Sequence, residues 1–187
     1  MDPRIERTRR AVMDAATELL LERGPDGLTM DGVVARSGVA KSTLYRHWPT
    51  RDALVAAVFE HLAPVVPAPD LDQGYEPALR ALVRSIAVIL ADEHWKPLIP
   101  ALAMLKAQHP DLAELESTLN AQQGAVIEPV LQLGVDEGRL GPDLTTDLTS
   151  TLLVGPLLMA TLTGSIALDD ELADAVVDHF LAATAPR

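Results

Sequence analysis

The chain has 187 residues, enough for one ordinary domain or for a small domain joined to a medium one, and 48% of them are hydrophobic, enough to bury a core. Its apolar positions are mostly Leu, Ala and Val, and aromatics are only 3%, a mixture that favours helix over strand. With no cysteine it has no disulfide, thiolate nucleophile or Cys-ligated metal, and a formal net charge of -12 excludes a polyanionic partner unless the charge is unevenly spread.

The charge is uneven. Residues 1–52 hold nine Lys/Arg against eight Asp/Glu, a balance of +1, whereas residues 53–187 hold six against nineteen, a balance of -13. The first segment can therefore approach a polyanion, although +1 does not by itself argue for one. The opening MDPRIERTRR is charged and lacks the apolar core of a signal peptide. The best apolar run, LLVGPLLMATL at 152–162, is too short to span a bilayer. A cytoplasmic chain without membrane contact is expected.

Helical periodicity runs almost throughout. Over 4–23 the positions Ala11, Val12, Ala15, Ala16, Leu19 and Leu20 form one stripe, which Gly24, Pro25 and Gly27 end. Thr29 is a plausible N-cap for a short helix over 30–37, and Gly38 ends it with the positive φ of a tight turn. A second short helix is predicted from Lys41 to Trp48, closed by Pro49, and Thr50 caps the next, over 51–63. PVVPAPDLDQG at 64–74 reads as a linker. Helices follow over 75–92, 96–109 and 111–138, the last kinked at Pro129, and then over 146–163, kinked at Gly155-Pro156, and 169–183. No strand or internal repeat is evident.

Two short helices joined at Gly38 have the spacing of a helix-turn-helix, whose second helix enters the major groove, where base edges distinguish all four pairs. On 41–48, Leu44 would face inward, leaving Lys41, Ser42, Tyr45 and Arg46 outward with Thr43 beside them. Lys41 can donate to guanine O6 or N7, and Ser42 and Thr43 can meet phosphate or a base edge. Tyr45 offers a ring and a hydroxyl, while His47 and Arg51 sit where phosphates would pass.

The run LTMDGVVARSGVAKSTLYRHWPTRDALV resembles the DNA-binding segment of the tetracycline-repressor (TetR) family. The matching elements are Thr29, Gly38-Val39, Thr43-Leu44-Tyr45, His47, Trp48, Arg51, Asp52 and Leu54. The resemblance covers about 50 residues, with GPLLMATLTG at 155–164 also similar to a penultimate helix in part of that family. It implies an all-α fold: a three-helix DNA-binding head at 1–52 and a larger ligand-binding and dimerisation body at 53–187, about nine helices in total. It further implies that Lys41, Ser42, Thr43 and Tyr45 approach bases and that Thr29, His47 and Arg51 approach phosphates. The chain departs from the family pattern at Asp31-Gly32, where a basic residue and then an acid are usual, and at Val34 and Ser37, usually alanine. A base or phosphate contact is thus in doubt at residue 31.

In the body, the dimer surface is expected on the last two helices, at Leu152 and Leu157 and along Leu172, Val176 and Phe180. An effector pocket is expected among 75–138 and 146–163, with Trp95, Leu98, Leu102, Met104, Leu105 and Met159 as candidate liners. No phosphate loop, HExxH or GxSxG is present, and Asp92-Glu93-His94 is contiguous rather than on one helix face, so no enzyme activity, cofactor or metal is expected. The expected function is a dimeric transcriptional regulator, a repressor of a palindromic double-stranded operator that a small-molecule effector releases. The alternative, a helical small-molecule-binding or interaction protein without functional DNA binding, sits poorly with the outward set Lys41, Ser42 and Tyr45.

Overall fold

The computed structural model describes residues 3–93, 95–100, 113–141 and 144–184. Among these residues every regular element is helical. The chain divides into two compact units, Met1–Ala63 with Pro97–Ser117, and Pro64–Lys96 with Thr118–Arg187.

The first unit opens with α1 (Pro3–Gly27), which breaks at Gly24 (φ 68°, ψ -174°) and adds one further turn, so it extends past the stop expected at residue 23. Its buried stripe is Val12, Met13, Ala15, Ala16, Leu19 and Leu20, to which α2 (Met30–Ser37) adds Met30 and Val33. α3 (Lys41–His47) contributes Leu44, and α4 (Arg51–Leu62) contributes Leu54, Val55, Val58 and Phe59. α1 packs on α2 and α4, and α2 on α3. Full burial of a leucine such as Leu44 or Leu54 contributes roughly 1.5–3 kcal/mol.

The second unit begins in an irregular segment that ends in a 3-10 turn at Leu71–Gln73, followed by α5 (Tyr75–Ala91). Residues 98–100, which belong to the first unit, are helical again, and α6 runs over Ala113–Asp136, with residues 118–136 in the second. α7 (Thr146–Thr163) starts on a Thr145 side-chain cap and ends at Gly164, and α8 spans Asp170–Thr184. α5, α7 and α8 pack mutually. Arg80 pairs with Asp174 and Asp178, and Arg84 with Asp174, so α5 and α8 run antiparallel. The short connection at 164–169 returns the chain, so the N-termini of α5 and α7 lie at one end of this layer.

Neither internal proline ends its helix: α6 continues through Pro129 and α7 through Pro156. Both prolines are exposed, so the carbonyls that lose an i−4 donor can turn to water.

Candidate nucleic-acid interface

Local chemistry fixes the α2–α3 pair. Thr29 is the N-cap of α2, its Oγ1 accepting from Gly32 N–H at 3.1 Å. Gly38 stands at φ 68°, ψ 8°, the left-handed C-cap, and its N–H donates to Val34 O at 3.1 Å. The next N–H, of Val39, donates to Ser37 Oγ at 3.2 Å, so the serine that departs from the family pattern serves the turn. α3 closes with Trp48 N–H donating to Leu44 O at 2.8 Å, and Thr50 Oγ1 caps α4 by accepting from Ala53 N–H at 3.1 Å.

Leu44 and Trp48 are buried, and the opposite face of α3 presents Lys41, Ser42, Tyr45 and Arg46 to solvent, with Thr43 half-buried at its edge. Positions 41, 42, 45 and 46 share one helical face, as the sequence pattern requires. Thr29 and His47 are exposed too, the His47 ring 5.6 Å from that of Trp48. On α1, Arg7, Arg9 and Arg10 are exposed.

Two cations of the expected set have intramolecular partners. Lys41 Nζ donates to Asp31 Oδ1 at 2.7 Å and stands 5.8 Å from the centre of the Tyr45 ring. Hydrogen bonding to Asp31 holds the Lys41 ammonium charged above the ordinary lysine range. Arg51 is part-buried, its Nε donating to Leu28 O at 2.8 Å, so it ties α4 to the segment before α2. Arg36, not singled out by the sequence, joins α2 to α1 through Glu22 at 2.7 Å and Glu18 at 3.5 Å. That hydrogen bond also holds the Glu22 carboxyl below the usual carboxylate range.

In the second unit the expected residues separate. Leu157 and Phe180 are buried within the chain itself, so neither offers surface to a second copy. Leu152 is exposed, as are Leu148, Pro156, Met159 and Leu162, which together make one apolar face of α7; Leu172 and Val176 are half-exposed on α8. Met159, expected in a pocket, thus lies at the surface, and Trp95 is half-exposed, while Leu98, which belongs to the first unit, is buried. Leu102, Met104 and Leu105 lie outside the described residues. Two buried hydroxyls, Tyr75 Oη and Thr149 Oγ1, have no hydrogen-bond partner among the described residues, and burial pushes the Tyr75 phenol up to about 12. No sequence pattern marked either one, since tyrosine and threonine at helix starts are usually solvated.

Residues 12–58 match the family described as bacterial regulatory proteins, tetR family, and residues 75–180 match the tetracyclin repressor-like C-terminal domain. The chain belongs to the TetR family. It is a transcriptional regulator with a helix-turn-helix DNA-binding segment. It is similar to the HTH-type transcriptional regulator YdeS of Bacillus subtilis (strain 168), at 28% identity over 95% of this chain and 90% of that one. The HTH-type transcriptional repressor Rv3405c of Mycobacterium tuberculosis is 42% identical over 57 residues, 30% of each chain. Among solved TetR-like structures, the flavonoid-responsive regulator FrrA superposes with a TM-score of 0.76 at 26% identity, covering 97% of this chain and 99% of that one. Among the described residues, no helix is long and apolar enough to cross a membrane.

Proposed function

We propose that the protein is a cytoplasmic, homodimeric repressor that binds a palindromic operator and leaves it when a small molecule occupies the body. The observation that carries this reading is the outward face of α3, with Lys41, Ser42, Tyr45 and Arg46 presented opposite the buried Leu44. That face, with Thr43 at its edge, is of a size and chemistry to meet base edges in the major groove, while His47 and Thr29 lie where the backbone would pass. Arg51 acts in this reading chiefly by fixing α4 through Leu28, beside the positions where phosphates would pass. The work divides between a reading head, residues 1–52, and an effector-binding, dimerising body, residues 53–187.

One head makes few base contacts, each worth about 1–3 kcal/mol, so a second copy on a two-fold axis is needed to reach operator affinity. The exposed apolar face Leu148, Leu152, Met159 and Leu162, with Leu172 and Val176 beside it on α8, is the surface a second copy would cover. Tyr75 and Thr149, at one end of the α5–α7–α8 layer, are the groups an effector's polar atoms would engage, because a buried hydroxyl without a partner costs about 1–3 kcal/mol. An effector that prefers a head spacing unlike that of the half-sites weakens operator binding by linkage. The similarity of the head to that of a transcriptional repressor favours repression over activation.

Selection of fragmented genomic DNA on the purified protein tests the reading. Enrichment of a short palindrome, lost in Tyr45→Ala while the dimer survives, is the expected result. A dimer that retains no sequence above background would instead leave a ligand-binding protein without DNA-reading function.

A further inference from the structure

An acidic side chain on the face of a head that meets DNA needs a reason. Asp31 lies in the first turn of α2 with its side chain 77% exposed, and it accepts from Lys41, itself 60% exposed, across the turn. An ion pair this open to water contributes only about 0–1 kcal/mol to folding, so fold stability does not account for it. The carboxylate is also not needed to end the helix, because Thr29 already caps α2.

The pair has the chemistry of one base-pair edge. In the major groove a G·C pair shows the acceptors N7 and O6 of guanine beside the N4 amino donor of cytosine. Guanine O6 and cytosine N4 are hydrogen-bonded to each other, about 2.9 Å apart. The Lys41 Nζ to Asp31 Oδ1 separation is 2.7 Å, so ammonium and carboxylate can meet that edge together, the ammonium donating to O6 while the free N4 hydrogen donates to the carboxylate. Lysine alone would be indiscriminate, since phosphate, guanine and the thymine O4 all accept from it. A fixed carboxylate beside it opposes phosphate contact and turns a source of affinity into a source of discrimination.

We propose that Asp31 is a specificity-determining residue: with Lys41 it forms one unit that reads a G·C pair in each half-site and holds Lys41 back from phosphate. The proposal rests on the DNA-binding reading above. The Tyr45 ring, 5.8 Å from the ammonium, limits where that unit can point.

The test compares wild type, Asp31→Ala, Asp31→Asn and Lys41→Ala as full chains, by selection from random duplexes and by salt titration of binding to a non-specific duplex. Wild type should select a palindrome with a G·C pair at one symmetric position, whose change to A·T weakens binding by about 5- to 150-fold per half-site. Asp31→Ala should keep the other positions, lose that preference and bind non-specific DNA more tightly. Its log K against log salt slope should steepen by about 0.9 for each head whose Lys41 reaches a phosphate. Asp31→Asn, which keeps an oxygen acceptor without the charge, should bind non-specific DNA more tightly yet retain part of the preference. Lys41→Ala should lose the preference without gaining non-specific affinity. An Asp31→Ala protein with the wild-type sequence preference and salt slope overturns the proposal while leaving the DNA-binding reading intact. Wild type that selects nothing overturns both.

Discussion

In the head, polar side chains find partners on the backbone or across a helix pair. Thr29 and Thr50 accept from α2 and α4 N–H groups, Arg51 donates to Leu28 O, and Arg36 bridges to Glu22. The body shares these devices, Thr145 capping α7, and differs in leaving two buried hydroxyls unmatched among the described residues. Its charges pair with one another, with Arg80 joining Glu76, Asp174 and Asp178 and Arg139 also reaching Glu76, while Tyr75 and Thr149 bury hydroxyls that nothing among the described residues accepts or donates to. A part that must present side chains in fixed directions has its polar groups satisfied from within, because loose caps would blur the reading face. In the proposed reading, a body that responds to a ligand can keep polar groups whose partner comes from outside.

The sharpest way to break this comparison is to empty a core position in each unit. Leu44→Ala and Leu157→Ala each remove a fully buried leucine and should each cost about 2–5 kcal/mol in urea unfolding, with DNA binding lost first in Leu44→Ala. Crowding should cost less. A Cβ at Gly134 would stand 2.7 Å from the Tyr75 ring, so Gly134→Ala should destabilise the body by about 1–3 kcal/mol, and pairing it with a smaller residue at position 75 should recover part of the loss.

Threonine sharpens the contrast by sign. Thr29→Ala or Thr50→Ala should lower stability by about 1 kcal/mol, since each exposes an uncapped helix start. Thr149→Val should be neutral or stabilising by up to about 1 kcal/mol, because the hydroxyl it removes has no partner. A Thr149→Val loss as large as that of a cap would show that this hydroxyl is already satisfied in the free protein.

The smallest effects come from pH. Arg80 and Arg84, by hydrogen bonding, hold the Glu76 and Asp174 carboxyls below their ordinary values of 4.5 and 3.8. Their contribution is present above those values and is lost as pH falls through the lower folded ones. Tyr75 has the opposite sign: raised from 10.0 to about 12 by burial, its phenol favours folding below pH 10 and loses that contribution as pH climbs toward 12. Melting temperatures across both limbs should show this, and Tyr75→Phe should flatten the alkaline one alone.

The helix boundaries were legible because their signals are local. The predicted 30–37 and 146–163 match α2 and α7, and 41–48, 51–63, 75–92 and 169–183 fall within one residue at each end of α3, α4, α5 and α8. Caps and glycines act within four residues, so periodicity and punctuation suffice. The outward face of α3 was equally legible, with one buried leucine to orient a seven-residue helix. Sidedness failed on α7, because a helix apolar on nearly every face has no polar stripe to tell inside from outside. Leu157 therefore lies in the core and Met159 on the surface, the reverse of what the pattern suggested. Pro129 and Pro156 are carried inside continuous helices, where the consequence of a missing N–H depends on whether the freed carbonyl meets water.

The sequence alone determined to within one residue where α2, α3, α4, α5, α7 and α8 begin and end, which residues α3 turns outward and which family the chain resembles, since each is written in signals a few residues long. Only the tertiary structure decided that Lys41 is held by Asp31, that Arg51 is spent partly on Leu28, and which apolar residues of α7 are left exposed. Those outcomes depend on groups brought together from 10 and 23 positions apart or on what covers a helix face. Periodicity along one helix carries no information about either.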